Sequence, residues 1–410
     1  MIRRRANICS SRYNDAHGNW LRMYKYVIQG LQEKGYDIHV SPLMELGYDE
    51  FPEIPRGLDD ECPDRDLFVY NHTYKNDLVQ RELYRTDKSI YLKPTGPTPD
   101  HFTIDKVGYG CHLSITYTKP DFENYNHEEF FETKANKWVK ERKNKWSEHK
   151  SLNSTDLKIP IPAHHTLVLG QMPNDETVYN FSFGNHWDKI VRVVSELQKA
   201  HYPSFPIVVK LHPEYRKHLR QDGREWLEKR EKVRDQINKW RSEDVTVIDD
   251  FTSLHDVLPS SRVVILENST SGIECLLHKV PIISFGYPEY HWITKDLRHM
   301  VLLNEYIEDL SWYDENKASS FVAWYCEQFM CYDQQSTNRR LQQLLGDNKG
   351  GYMPPFYFYV KSPNTTLNDP PEKIFNPLLL NSTLSLSSPT INESGFKNPP
   401  FGLRSVLFSN

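Results

Sequence analysis

The sequence predicts an α/β protein of two Rossmann-like domains facing a central cleft, with a C-terminal helix returning to the first domain. Three observations carry this expectation. Short apolar strands alternate with amphipathic helices along most of the chain. The alternation runs in two blocks, parted near residue 155 by a basic and then a Ser/Asn-rich stretch. The length of 410 residues exceeds what one hydrophobic core serves, since single cores stop growing at about 250–300 residues. The expected divisions are 1–155 for the first Rossmann-like domain, 156–330 for the second, 331–362 for the returning helix, and 363–410 for a linker or disordered tail rich in Pro, Ser and Asn.

The first block opens as strand, helix, strand. Residues 6–10 form a short apolar run; 19–34 carry Leu21, Tyr24, Val27, Ile28 and Leu31 at helical spacing; 37–40 return as a strand. Strands are also expected at 66–70 and 89–92, each followed by polar or Pro/Gly-rich residues, as in a parallel sheet that presents loops at its strand ends. Between Lys134 and Lys150, Lys and Arg dominate, with Trp138 and Trp146 interleaved. This reads as a solvated helix face, or as a surface for an anionic acceptor or the inner membrane face.

In the second block, strands are expected at 166–169, 206–211, 245–248, 263–266 and 281–285, with helices at 187–200, 223–241 and 271–278. Residues 321–330 read as a late apolar helix, which 338–345 extend.

Composition narrows the function. Fifty basic and 55 acidic side chains give a formal net charge of −5, so no overall field recruits nucleic acid. The six cysteines are scattered without the two-residue spacing of a zinc or redox motif, which fits a reducing compartment. Arg3, Arg4 and Arg5 are followed by no apolar run of signal-peptide type, and no window reaches eighteen apolar residues. The expected location is cytoplasmic, at the inner face of the membrane.

Polar residues that follow an apolar strand line the ligand crevice of a parallel sheet, and three such loops stand out. Gly170-Gln171-Met172-Pro173-Asn174-Asp175 brings an amide and a carboxylate to a strand end; an Asp there equally caps a helix or makes a turn. Lys210-Leu211-His212-Pro213 ends a strand with a cation, a proton donor and a rigid turn, the groups a departing phosphate requires; a turn with a solvated Lys is the plainer alternative. Asn268-Ser269-Thr270-Ser271-Gly272-Ile273-Glu274 joins a strand to a helix start, where hydroxyls and free N–H groups suit phosphate, and where Glu274 either binds ribose or stabilises the helix. It lacks the lysine of a P-loop.

In this order the loops resemble the bacterial retaining β-Kdo transferases of capsule and lipopolysaccharide O-antigen assembly. The likeness rests on Gln171 to Asp175 as Gln-x-x-x-Asp, on His212-Pro213, and on Ser271-Gly272-Ile273-Glu274 with the following Leu276-Leu277-His278-Lys279-Val280-Pro281. On the acceptor side, Lys93, Thr95, Gly96 and Asp105 match more loosely. The resemblance implies a GT-B-like fold, CMP-Kdo as donor, no metal or cofactor, and a lipid-linked or oligosaccharide acceptor. It implies Asp175 as nucleophile, Gln171 and His212 beside it, and Lys210, His212, Pro213, Asn268, Ser269, Thr270, Ser271, Gly272 and Glu274 as the donor cradle. Another CMP- or CDP-linked transferase, such as a sialyltransferase or a glycerol-phosphate transferase, would use the same groups. A noncatalytic sugar-nucleotide-binding module, or one module of a larger multi-transferase protein, is the alternative of a different class.

Overall fold

The computed structural model describes residues 4–9, 18–40, 67–71, 89–94, 96–98, 100–106, 108, 113–151, 159–172, 178, 186–199, 205–212, 224–243, 245–249, 252–297, 302–346, 357–360 and 376–379. Its first sheet contains β1 (Arg4–Cys9), β2 (Tyr36–Val40), β3 (Leu67–Asn71), β4 (Ser89–Pro94) and β5 (Phe102–Asp105), in the order β2-β1-β3-β4-β5. The helix α1 (Gly18–Glu33) buries Tyr24, Val27, Ile28 and Leu31 of the expected stripe, with Met23 fully buried and Leu21 only partly so; they meet Ala6, Ile8, Val69, Ile90 and Leu92 in one core. Burial of each such side chain contributes roughly 1.5–3 kcal/mol.

The fifth strand lies where the sequence predicts none. It runs antiparallel to β4, with Tyr91 opposite Asp105 and Pro94 opposite Phe102. Its four residues are too few to show alternation in the sequence, yet Phe102 and Ile104 enter the core while the period of two turns Thr103 and Asp105 to the other face.

The second sheet is parallel throughout and has the order β11-β10-β9-β6-β7-β8. Its strands are β6 (His165–Leu169), β7 (Ile207–Lys210), β8 (Thr246–Ile248), β9 (Ser261–Leu266), β10 (Ile282–Ser284) and β11 (Lys295–Asp296). Numbered within this half, the order is 3-2-1-4-5-6, the arrangement of dinucleotide-binding sheets, and it reverses between β6 and β9. Alternation sorts the side chains into two layers. Val168, Val209, Val263 and Ile265 pack with Ile190, Val193 and Leu197 of helix 186–199 and with Ile237 and Trp240 of helix 224–242. Leu167, Leu169, Val208, Val264 and Leu266 form the opposite layer with Ile273, Leu276, Phe321 and Tyr325.

That second layer also contains Leu113, Ile115, Phe122, Phe130 and Trp138, so residues that precede position 155 pack on the second sheet. The basic run is helical, Asn136–Ser151, with Lys137 and Lys140 exposed. Arg142 instead turns inward to Glu274, and Lys143 pairs at the surface with Asp256, each at 3.4 Å.

The returning helix is present as Gln334–Leu345, begun by an Asp333–Ser336 capping box. Leu341 and Leu344 enter the first core, and Gln334 donates to the Tyr26 carbonyl at 3.0 Å. Just before it, Cys331 and Phe102 exchange two backbone hydrogen bonds of 2.8 and 2.9 Å. The apolar helix expected at 321–330 begins earlier, at Glu315, and ends in a wide turn, Tyr325–Phe329. Within the expected tail, Asn376–Leu379 pairs with Tyr357–Val360; residues 363–375 and 380–410 lie outside the described set. Among the described residues no helix is long and apolar enough to cross a membrane.

Candidate active site

The reversal between β6 and β9 brings the first and third loops together. Gln171 leaves β6 and Asn268 leaves β9, both buried. The Gln171 amide nitrogen donates to Asn268 Oδ1 at 3.0 Å, and the Asn268 backbone N–H donates to Gln171 Oε1 at 3.0 Å. The side-chain amide thereby satisfies a donor and an acceptor across the crevice, fixing the root of the segment that continues to Asp175.

Beneath this clasp lies a buried charge network that the sequence reading missed. The Gln171 backbone N–H donates to His186 Nε2 at 2.8 Å, so Nε2 is unprotonated and the imidazole carries its proton on Nδ1, facing Glu267. Lys189, one helical turn on, donates to the other Glu267 oxygen. Burial by itself pushes the Glu267 carboxyl up, but the His186 hydrogen bond and the Lys189 ammonium outweigh it and hold the group at about 2. The sequence signal was a glutamate directly after an apolar strand, and a His and Lys three apart at a helix start.

The third loop is organised differently from expectation. The N–H groups of Ser271, Gly272 and Ile273 are already taken, by Ser269 Oγ at 3.2 Å and by the Ser269 and Thr270 carbonyls at 3.0 and 3.1 Å. What the loop offers a ligand is therefore the half-buried hydroxyls of Ser269, Thr270 and Ser271. Tyr290, from the loop after β10, donates to the Ser269 carbonyl and lies so close to Gly272 that any β-carbon there would overlap its ring. Glu274 is buried, and its Oε1 meets His255 Nε2 at 3.1 Å and Arg142 Nε at 3.4 Å; His255 Nδ1 in turn faces His278 Nε2 at 2.8 Å. Burial pushes Glu274 up, but His255 and Arg142 more than offset this and hold it below the usual range. Burial, with the charge of His255, lowers His278 to about 4 and leaves it neutral at pH 7.

Of the second loop, Lys210 is the buried last residue of β7, and His212 follows half-buried. The Lys210 carbonyl accepts from the Gly170 N–H at 2.9 Å, which joins this loop to the first. On the first sheet, Lys93 is half-buried near the end of β4. Gly96 has φ +127, and a methyl group there would strike Met330. Asp105 is fully buried and engaged by the Ser114 N–H at 3.0 Å, Ser114 Oγ at 2.5 Å and Arg340 Nη2 at 3.2 Å. Asp175, Pro213 and Thr95 lie outside the described residues. Among the described residues, no three of His, Cys, Asp and Glu gather closely enough to hold a metal ion.

A family model described as capsule polysaccharide biosynthesis protein matches residues 108–299, the span that holds all three loops. The chain resembles the capsule-synthesis family. No curated protein matches it in sequence. Similar solved structures include two beta Kdo transferases of Thermosulfurimonas dismutans KpsC. The 2,7 transferase is 14% identical, covers 83% of this chain and 99% of its own, and has a TM-score of 0.39. The 2,4 transferase is 16% identical, covers 70% and 88%, and has a TM-score of 0.40. Anabaena Alr3699/HepE in complex with UDP is 8% identical, covers 84% and 100%, and has a TM-score of 0.37. The capsule-synthesis likeness and the paired Rossmann-like sheets support a glycosyltransferase role.

Proposed function

We propose that the chain is a retaining β-Kdo glycosyltransferase of bacterial surface polysaccharide synthesis, which takes Kdo from CMP-β-Kdo and gives it to a lipid-linked or oligosaccharide acceptor at the inner face of the membrane. The observation that carries this reading is the Gln171–Asn268 clasp. It ties the root of the Gln-x-x-x-Asp segment to the hydroxyl-rich loop at the point where the strand order reverses, which supports a reading in which both loops serve one crevice.

In the first step an Asp175 oxygen bonds to the anomeric carbon from the face opposite CMP, and the bond to the phosphate oxygen breaks with its electron pair leaving on CMP. Lys210, His212 and the hydroxyls of Ser269, Thr270 and Ser271 offset the charge that develops on that phosphate. In the second step the acceptor oxygen displaces Asp175, and two inversions give net retention.

Intact-mass spectrometry after incubation with CMP-Kdo tests the reading. The expected result is CMP release with a sugar adduct on Asp175, absent from Asp175→Asn, while that variant still binds CMP. An Asp175→Asn protein with normal turnover overturns the nucleophile assignment. CMP release from CMP-sialic acid or CDP-glycerol, and not from CMP-Kdo, overturns the donor. His212→Ala is expected to weaken CMP binding or slow CMP departure by tenfold or more, about 1.4 kcal/mol.

A further inference from the structure

The composition of helix 136–151 describes a solvated basic helix, and Lys137 and Lys140 are exposed as it implies. Its inner face is set by Trp138, which packs edge to face against His101, from the loop between β4 and β5, and against Phe130, with ring centroids 4.6 and 5.5 Å apart. Arg142 follows four residues later and shares that face. It reaches Glu274 of the third loop, Nε to Oε1 at 3.4 Å.

This guanidinium is largely unspent. An arginine carries five N–H donors, yet the Nε contact lacks hydrogen-bond geometry, and among the described residues no hydrogen bond reaches either terminal nitrogen. The side chain keeps 24% of its surface exposed, so a ligand can reach it. Its neighbours are hydroxyls. Thr270 and Ser271 precede Glu274 by four and three residues and share its helical face, and the Glu274 side chain leans back toward them. The backbone N–H groups of Ser271, Gly272 and Ile273 are taken within the loop, which presents half-buried hydroxyls and no positive charge of its own. Glu274 is in turn held through the same oxygen by His255 Nε2 at 3.1 Å, and so is a fixed anchor for the arginine.

We propose that Arg142 binds an oxyanion of the sugar-nucleotide donor: Glu274 holds the Nε side of the guanidinium, and the two terminal nitrogens grip the anion beside the hydroxyls of Thr270 and Ser271. The inference rests on the function proposed above, to which it adds a binding residue from a helix that precedes the second sheet. The planar fork matches two oxygens with two parallel N–H groups, a fit that a lysine does not offer. CMP-Kdo presents two such groups, the phosphate and the sugar carboxylate, and the fork neutralises either.

Calorimetry with CMP and with cytidine, together with steady-state kinetics on CMP-Kdo, tests this. Arg142→Met keeps the reach of the side chain without its donors. If the phosphate is the group held, CMP affinity falls roughly tenfold or more while cytidine affinity is unchanged, which also shows that the variant is folded. If the carboxylate is held, CMP affinity is unchanged and KM for CMP-Kdo rises by roughly tenfold with kcat little altered. Arg142→Lys, which keeps the charge beside Glu274 without the fork, should recover part of the loss. Lys140→Met, which removes an exposed charge from the same helix, should bind as wild type does. An Arg142→Met protein with CMP affinity and KM for CMP-Kdo both within about twofold of wild type overturns the assignment. So does Arg142→Lys or Arg142→Met losing cytidine as much as CMP, or an equal loss in Lys140→Met. A wild-type protein that takes neither CMP nor CMP-Kdo overturns the donor reading and this inference with it.

Discussion

Replacing Glu267 with Gln removes the one negative charge from the group formed with Lys189 and His186 while keeping its size. The carboxyl is held at about 2 from an ordinary value of 4.5. At about 1.4 kcal/mol for each factor of ten in proton affinity, this corresponds to roughly 3 kcal/mol of stability. The figure agrees with the roughly 3–5 kcal/mol lost when one partner of a buried pair is removed. Because the folded value lies below the unfolded one, the contribution is complete above about pH 4.5 and disappears as pH falls through about 2. Equilibrium denaturation in urea, followed by the fluorescence of the Trp187–Trp240 pair in the second domain, reads this directly. Glu267→Gln should be about 3 kcal/mol less stable than wild type at pH 7, and the gap should narrow to roughly 2 kcal/mol at pH 3.5. A loss below about 1 kcal/mol at pH 7, or a gap that does not narrow in acid, refutes the charge network as a source of stability.

Gln171→Ala removes both hydrogen bonds that the side-chain amide makes to the buried Asn268. It should cost roughly 2–4 kcal/mol in urea denaturation and loosen CMP binding by calorimetry. Gly272→Ala drives a methyl into the Tyr290 ring and should destabilise by about 1–3 kcal/mol, whereas Tyr290→Phe, which loses the Ser269 bond without a clash, should be milder. Arg340→Met removes the guanidinium that bonds the Ile104 carbonyl and Asp105. A thermal shift of several degrees is expected, and an unchanged Tm would show that Ser114 alone suffices for Asp105.

Most elements were legible because each buries a stripe or face whose period is written locally. Leu167, Val168 and Leu169 read as a buried strand, and Tyr24, Val27, Ile28 and Leu31 read as a helix face, without knowledge of their partners. The second sheet's strand ends located the three loops for the same reason. What was not legible depends on residues far apart in the chain. Glu267 and His186 are separated by 81 positions, and nothing near either announces the other. Arg142 sits in a run whose composition describes a solvated helix, and only the packing of Trp138 turns it toward Glu274. Glu289 follows a Pro in an apparently ordinary loop; its burial against Tyr325, 36 positions away, with Oε2 unpartnered, is a property of the assembled fold.

The exchange of backbone hydrogen bonds between Phe102 and Cys331 has a mechanical meaning. The chain passes from the first sheet to the second shortly after Phe102 and comes back at Cys331, so the outgoing and incoming spans are stitched together where they cross. Two separate tethers would let the domains twist as well as swing. Joined in this way they are one axle, which restricts twist of either span against the other. Severing the chain at residue 330 would remove that axle and strip helix 334–345 from the face of α1 that it covers.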